Sequence, residues 1–306
     1  MNYADSISLL PDVTGATVVV DTHDFLSLSW HLSARARTLL EAERYEFSPL
    51  AFCVETYLRD AADEASLEFA ALGRPDLILA ISEQEGQIFR EQTDRAVQVL
   101  NYRAEEQPVR GLSQLSQLGI MPVGTGDNPH NILGAYCIDR AMRYLGSTNT
   151  LVAAVGHAAG EIRLGPWCEP LGYASDYFGI IREHEFGVCP AFWGTGAQIK
   201  QYEFAELGMP IVAYRWMVDS DLWVDGENCF LVDDPYAFAE RLCSIGSSRQ
   251  MAQMRERAKL LNGCVAERLE RQYAELDGRL GLRGAAGMPK PSAQDDDHFW
   301  ASRART

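Results

Sequence analysis

Lysine is almost absent from this chain: Lys200, Lys259 and Lys290 are the only three among 306 residues, and the formal net charge is −16. So acidic a surface lacks the basic field that nucleic acid or an anionic lipid surface requires, and neither is an expected partner. The seven cysteines (Cys53, Cys137, Cys168, Cys189, Cys229, Cys243, Cys264) never fall in C-x-x-C spacing. Their odd number and mostly apolar surroundings argue against a disulfide framework or a zinc site and suit small core residues in a reducing compartment. No apolar run approaches membrane-spanning length. The segment MNYADSISLLPDV lacks the basic-then-apolar order of a signal peptide. A soluble, cytoplasmic protein is the expectation. There is no G-x-S-x-G elbow and no cysteine paired with a suggestive histidine. His31, His130, His157 and His184 show no metal-ligand spacing, and no metal site is expected.

What is present is a series of short buried strands alternating with helices. ATVVVDTH (Ala16–His23) reads as a β-branched strand ending at a polar turn. Residues 25 to about 69 are helical in pattern with one break near Ser48-Pro49. PDLILAIS (Pro75–Ser82) is a second strand, and Ser82 followed by Glu85 forms a capping box for the next helix. A third strand lies near Val97–Leu100. The polar stretch 104–118 reads as a hinge. A second series begins at Ile120–Asn131 and continues with Thr150–Gly156, Glu185–Ala191, Pro210–Arg215 and Cys229–Pro235. One long amphipathic helix is expected over 249–280, and the Gly-, Pro- and charge-rich remainder reads as a disordered tail. Alternation of this kind implies parallel sheets wound with helices on both faces. The expected division is a domain over 1–108, a domain over 109–280 and a tail over 281–306.

The richest segment is CPAFWGTGAQIKQYEFAELGMPIVA, from Cys189 to Ala213. It reads as the end of a buried strand, a Gly-Thr-Gly turn, a short helix, a Gly-Met-Pro stop and another strand. Gly194 and Gly196 allow positive φ and close approach of a ligand to the backbone. The helix that follows presents free N–H groups and a partial positive charge at its start, a seat for phosphate. Lys200 and Glu203 share one face of that helix. A cation and a carboxylate beside a phosphate seat could hold a nucleotide by its diphosphate and its ribose hydroxyls. The same residues could equally make a βαβ turn with a surface salt bridge.

The pattern strand–P-x-x-x-GTG-x-x-IK-x-x-E-x-x-x-x-G-x-PIV resembles the donor-binding segment of GT-B glycosyltransferases, specifically the retaining family 4-like group. Other segments are similar to that family in the correct order: VVVDTHD, PDLILAISEQEGQIF, VGTGDNPHNILGAYCID and VDGENCFLVDDPYAFAERL. The resemblance implies two Rossmann-like α/β domains, the N-terminal one abbreviated and the C-terminal one complete. It implies that Glu203 binds the ribose of a nucleotide-diphosphate sugar. The turn of Gly194, Thr195, Gly196 and Ala197 would lie against the diphosphate with Lys200, and the loop of Gly124, Gly126 and Asn131 would either face the sugar or be a plain structural turn. His23, ending the first strand, would face the reacting sugar and act with Lys200 in catalysis. The implied reaction is retaining, metal-independent sugar transfer to an acceptor hydroxyl, with no cofactor besides the donor.

Departures from the family pattern bear on turnover. Few residues precede the strand ending in His23, so the acceptor-side domain looks shortened and is expected to self-associate or to be the least stable part. Family members often carry paired glutamates around the GTG position; Glu203 matches the second, and Thr195 stands at the first. The loop VGTGDNPHN lacks the family's frequent Arg and Lys. A non-catalytic relative that binds nucleotide or a partner therefore stays open. So does a nucleotide-dependent oxidoreductase, although its G-x-G-x-x-G fingerprint would need glycine where Pro129 stands. Asp219-Ser220-Asp221 is a D-x-D outside any matching context, and no metal role is expected for it.

Overall fold

The computed structural model describes residues 16–22, 25–102, 116–124, 128–245 and 249–281. The boundary expected at 108/109, most of the expected hinge and all but the first residue of the expected tail lie outside these residues. The chain enters on β1 (Val19–Thr22) and continues through α1 (Leu26–Glu41), α2 (Leu50–Asp60) and α3 (Ala62–Leu72). Next come β2 (Leu77–Ala80), α4 (Glu83–Gln92) and β3 (Ala96–Val99). These three strands form a parallel sheet in the order β1-β2-β3.

The second series runs β4 (Ser116–Pro122), α5 (Pro129–Leu145), β5 (Val152–Val155), β6 (Cys168–Gly172), α6 (Tyr177–Arg182) and β7 (His184–Cys189). It continues with α7 (Ile199–Glu206), β8 (Ile211–Tyr214), β9 (Cys229–Val232), α8 (Pro235–Ser244), α9 (Arg249–Ala258) and α10 (Leu261–Arg279). Its parallel sheet has the order β6-β5-β4-β7-β8-β9. Numbered within that sheet the order is 3-2-1-4-5-6, the doubly wound Rossmann arrangement. The chain reverses its winding between β4 and β7, and ligands of such sheets bind beyond the carboxyl ends of the strands at that crevice.

Local chemistry explains most of the elements. β2, β5 and β8 are buried along their whole length, so LILA, VAAV and IVAY stay apolar on both faces. Asp234 starts α8 by accepting from Tyr236 N and Ala237 N, both at 2.8 Å, with Pro235 in the first helical position. Gly146 closes α5 in the left-handed conformation, φ +68°. Gly134 of α5 faces Pro190 so closely that a Cβ there would lie 2.0 Å from the Pro190 carbonyl oxygen. Helix α5 therefore rests directly on the end of β7.

Several expectations change. The helical stretch after β1 breaks twice, before Leu50 and again at Ala61. The hinge does not extend to residue 118, since β4 begins at Ser116. β6 was not foreseen: it is an edge strand whose Glu169, Pro170 and Leu171 are exposed, so it lacks the apolar signature of the others. The long helix over 249–280 is two helices. Met251 and Met254 of α9 pack in one hydrophobic cluster, whereas Ala258 at its end packs with Leu261, Val265 and Leu269 of α10 in another, so the chain changes cluster over the last turn of α9, just before the break at 259–260. The Ser82–Glu85 capping box is half made. Ser82 Oγ accepts from Glu85 N at 3.3 Å, but the Glu85 carboxylate turns to Phe25 N at 2.6 Å and caps the start of α1.

The two sheets share a core. One continuous apolar cluster runs from Val20 and Ile78 to Met121, Val188 and Phe238. The segment after α1 wedges between them: Tyr45 stacks on Tyr136 at 4.6 Å, and Phe47 meets Phe192 at 5.1 Å and Tyr214 at 5.6 Å. Trp193 Nε1 donates to Ser48 O at 2.8 Å.

Candidate functional site

Helix α7 and its preceding turn sit at the carboxyl end of β7, beside the crevice between β4 and β7. Gly187 of β7 makes room for them: a Cβ there would lie 2.5 Å from the ring of Phe204, which packs flat on the strand. Gly196 has φ +73°, a conformation that favours glycine. Gly194 is close to extended at φ +157°, and the Gln198 side chain lies over it. Gln198 precedes α7 without making a side-chain cap.

Glu203 is 9% exposed. Its Oε2 accepts from Tyr177 Oη at 2.8 Å, and Lys200 Nζ lies 3.2 Å from both carboxylate oxygens. The ammonium also sits over the Tyr177 ring, 5.0 Å from its centroid. The pairing of Lys200 with Glu203 is thus present, but within a half-buried cluster rather than on an open surface. Burial, and then the Glu203 carboxylate, raise the Tyr177 phenol far above its ordinary range, so it stays protonated and donates. Cys189, at the end of β7, is pushed up to about 12 by burial, and that thiol is inert. Tyr177 was not foreseen from the sequence; it lies on α6, and nothing in its neighbourhood marks it as a partner of Glu203.

A cavity of about 620 Å³ has Gly194, Gly196 and Ala197 of the turn in its wall. The far wall is formed by Ser82 to Gln84 and by β3, and α10 closes one end. Gln272 of α10 exchanges hydrogen bonds with Asn101, with Nε2 to Oδ1 at 2.7 Å and Asn101 N to Oε1 at 3.0 Å. Lys200, Glu203 and Thr195 are not part of this wall. Gly124, two residues beyond β4, has φ +74°, and its carbonyl accepts from Ala158 N at 3.0 Å. Gly156 approaches Gly124 so closely that a Cβ would lie 2.7 Å from the Gly124 oxygen. Gly124 is therefore at the same edge of the sheet as the 194–197 turn but outside the cavity. His23 and Gly126 lie outside the described residues.

The D-x-D is a structural hub. Asp219 is bound by Arg268 and accepts from Tyr202 Oη at 3.1 Å, while its backbone N–H donates to Gln201 Oε1 at 2.9 Å. Among the described residues no group of three or more His, Cys, Asp or Glu could hold a metal.

This architecture recurs in solved structures. The chain is similar to Staphylococcus aureus TarM, with 13% identity over 69% of this chain and 44% of that one and a TM-score of 0.53. It is similar to Anabaena HepE in complex with UDP, with 15% identity over 86% and 72% and a TM-score of 0.58. OtsA in its apo form matches at 12% identity over 90% and 75%, with a TM-score of 0.54. The fold is GT-B. This GT-B chain spans less than half the length of TarM. No family model matches the sequence, and no curated protein matches it at the level of sequence. Among the described residues no helix is long and apolar enough to cross a membrane.

Proposed function

We propose that the chain binds a nucleotide-diphosphate sugar through the 194–203 segment and transfers the sugar to an acceptor hydroxyl. The observation that carries this reading is the buried Glu203 carboxylate, one turn beyond a glycine turn at the switch point of a Rossmann-ordered sheet. Vicinal ribose hydroxyls would donate to Glu203 in place of one Lys200 contact. Backbone N–H groups of Thr195 to Ala197 and the start of α7 would face the diphosphate. As the bond from the sugar carbon to the diphosphate oxygen breaks, charge grows on that oxygen, and fixed dipoles there would stabilise it. The acceptor oxygen forms the new bond to the sugar carbon, and its proton passes to the departing diphosphate oxygen. Retention of configuration and independence of metal follow the likeness of the 189–213 segment to the retaining family 4-like group.

UDP is the first nucleotide to test, because HepE has been solved with UDP and with UDP-glucose. Melting of the protein with UDP, GDP, ADP and NAD separates the readings: a raised midpoint with a nucleoside diphosphate is expected. A shift with NAD alone would instead point to an oxidoreductase. Thr195 at the first glutamate position favours a second reading, a nucleotide-binding relative without turnover. Nucleotide binding without release of UDP from any UDP-sugar, with or without acceptor, would select it.

A further inference from the structure

Resting on the glycosyl-transfer reading, we propose that the acceptor is a neutral, polyhydroxylated saccharide and that the cavity between β3, α10 and the 194–198 turn is its site. The position is right for that role. A molecule filling the cavity reaches Gly194, Gly196 and Ala197 of the proposed diphosphate turn, while Lys200, Tyr177 and Glu203 do not line it. The volume of about 620 Å³ falls within the roughly 300–1,000 Å³ of small-molecule sites.

The wall chemistry selects among acceptor classes. Six of the chain's twenty asparagine and glutamine side chains converge here: Gln84, Gln98, Asn101, Gln198, Gln201 and Gln272. A carboxamide both donates and accepts, as a sugar hydroxyl does, so amides can satisfy a hydroxyl in either orientation. Several retain capacity. Gln201 uses Oε1 on Asp219 N and keeps its Nε2. Gln98, 4% exposed, donates Nε2 to Gln272 O at 2.8 Å, and its unpartnered Oε1 is buried, so a hydroxyl reaches it only if the side chain turns toward the cavity. Half-buried Trp216 also lines the cavity, with its ring stacked on Tyr214 at 5.4 Å. Charges in the wall largely cancel: Arg90 pairs with Glu83 at 2.6 Å, and Arg268 binds Asp219 with Asp221 at 3.7 Å. Along α10, Glu275 stands one turn from both Arg271 and Arg279. A lipid acceptor would want apolar walls and a phosphorylated one a net cationic wall, and this cavity offers neither.

The test uses the full chain and saturation-transfer NMR with glucose, galactose, mannose, N-acetylglucosamine, maltose and cellobiose, each with and without UDP. At least one saccharide should show transfer. Gln84→Ala should weaken its binding by up to about tenfold, as loss of one neutral hydrogen bond does, while UDP affinity stays unchanged. Gln84 is exposed, so this variant should fold; Gln98→Met probes the deeper amide, with its melting curve as the fold check. UDP binding with no saccharide binding would overturn the proposal and leave the donor reading intact, as would saccharide binding indifferent to both substitutions. Saccharide binding sensitive to Gln84→Ala in a protein that ignores every nucleotide would support the cavity and remove the donor reading. Failure of all the sugars and all the nucleotides would overturn both.

Discussion

Asn101 and Gln272 are 171 positions apart and bond to each other twice, backbone N–H to side-chain oxygen at 3.0 Å and side-chain nitrogen to side-chain oxygen at 2.7 Å. The pair ties the last described helix back to the end of β3. Gln272→Ala removes both bonds and leaves Asn101 N–H without its acceptor, a loss of about 1–3 kcal/mol. Hydrogen exchange should speed up at amides 97–101 and leave those of Val152–Val155 unchanged. Unchanged exchange at 97–101 would show that the Asn101–Gln272 side-chain pair is not what holds the end of β3, the Gln98 bond to Gln272 O being kept in the variant.

Gly134 offers a sharper packing test. A methyl group there meets backbone rather than a flexible side chain, so Gly134→Ala should destabilise by about 1–3 kcal/mol. Gly263, in α10, has nothing within 4 Å of its Cβ position, and Gly263→Ala should stabilise by roughly 0.5–1 kcal/mol. Thermal melts of the two variants should move in opposite directions.

How much of this was legible in the sequence depends on whether a feature is local. LILA, VAAV and IVAY were readable because a strand buried on both faces must be apolar throughout. The Gly-Met-Pro stop was readable because breakers act within a few residues, whereas Asp234-Pro235, placed at the end of a strand, turns out to cap the next helix. β6 escaped because Glu169 and Pro170 on an open edge carry no strand signal. The break between α9 and α10 escaped because each half is amphipathic on its own; only the change of packing partner separates them. Lys200 with Glu203 follows from helical spacing, but Tyr177 reaches the same carboxylate from another element. The wedge of Tyr45 and Phe47, which joins the two halves, left no mark that composition or periodicity could show.

Acid should weaken the contact between α1 and α5. His130 Nε2 lies 3.0 Å from Ser33 Oγ, its Nδ1 is buried without a partner, and burial followed by the Arg37 charge lowers its pKa to about 4. The unfolded value is about 6.5. The unfolded chain therefore binds the proton first, and stability is full above pH 6.5 and falls as pH drops from about 6.5 to about 4. By pH 5 the loss is about 2 kcal/mol. Urea unfolding at pH 7.5 and at pH 5 should show His130→Gln losing less than wild type by that amount. Parallel losses would contradict the assignment.

Chelation should leave nucleotide binding unchanged, because Asp219 is already held by Arg268 and Tyr202 and Asp221 is 82% exposed at 3.7 Å from the same arginine. Calorimetric titration of UDP in EDTA and in Mg²⁺ should give the same affinity. Strict dependence on the metal would return both aspartates to the site.

The most direct test of the donor site is UDP titration of wild type and Glu203→Ala, with circular dichroism confirming the fold of both. Removing the charged acceptor of two ribose hydroxyls should raise Kd by roughly ten- to a hundredfold, about 1.5–3 kcal/mol. Tyr177→Phe, which keeps the carboxylate and removes the donor that orients it, should fall between the two. Equal affinity in wild type and Glu203→Ala would contradict the placement of the nucleotide on this helix.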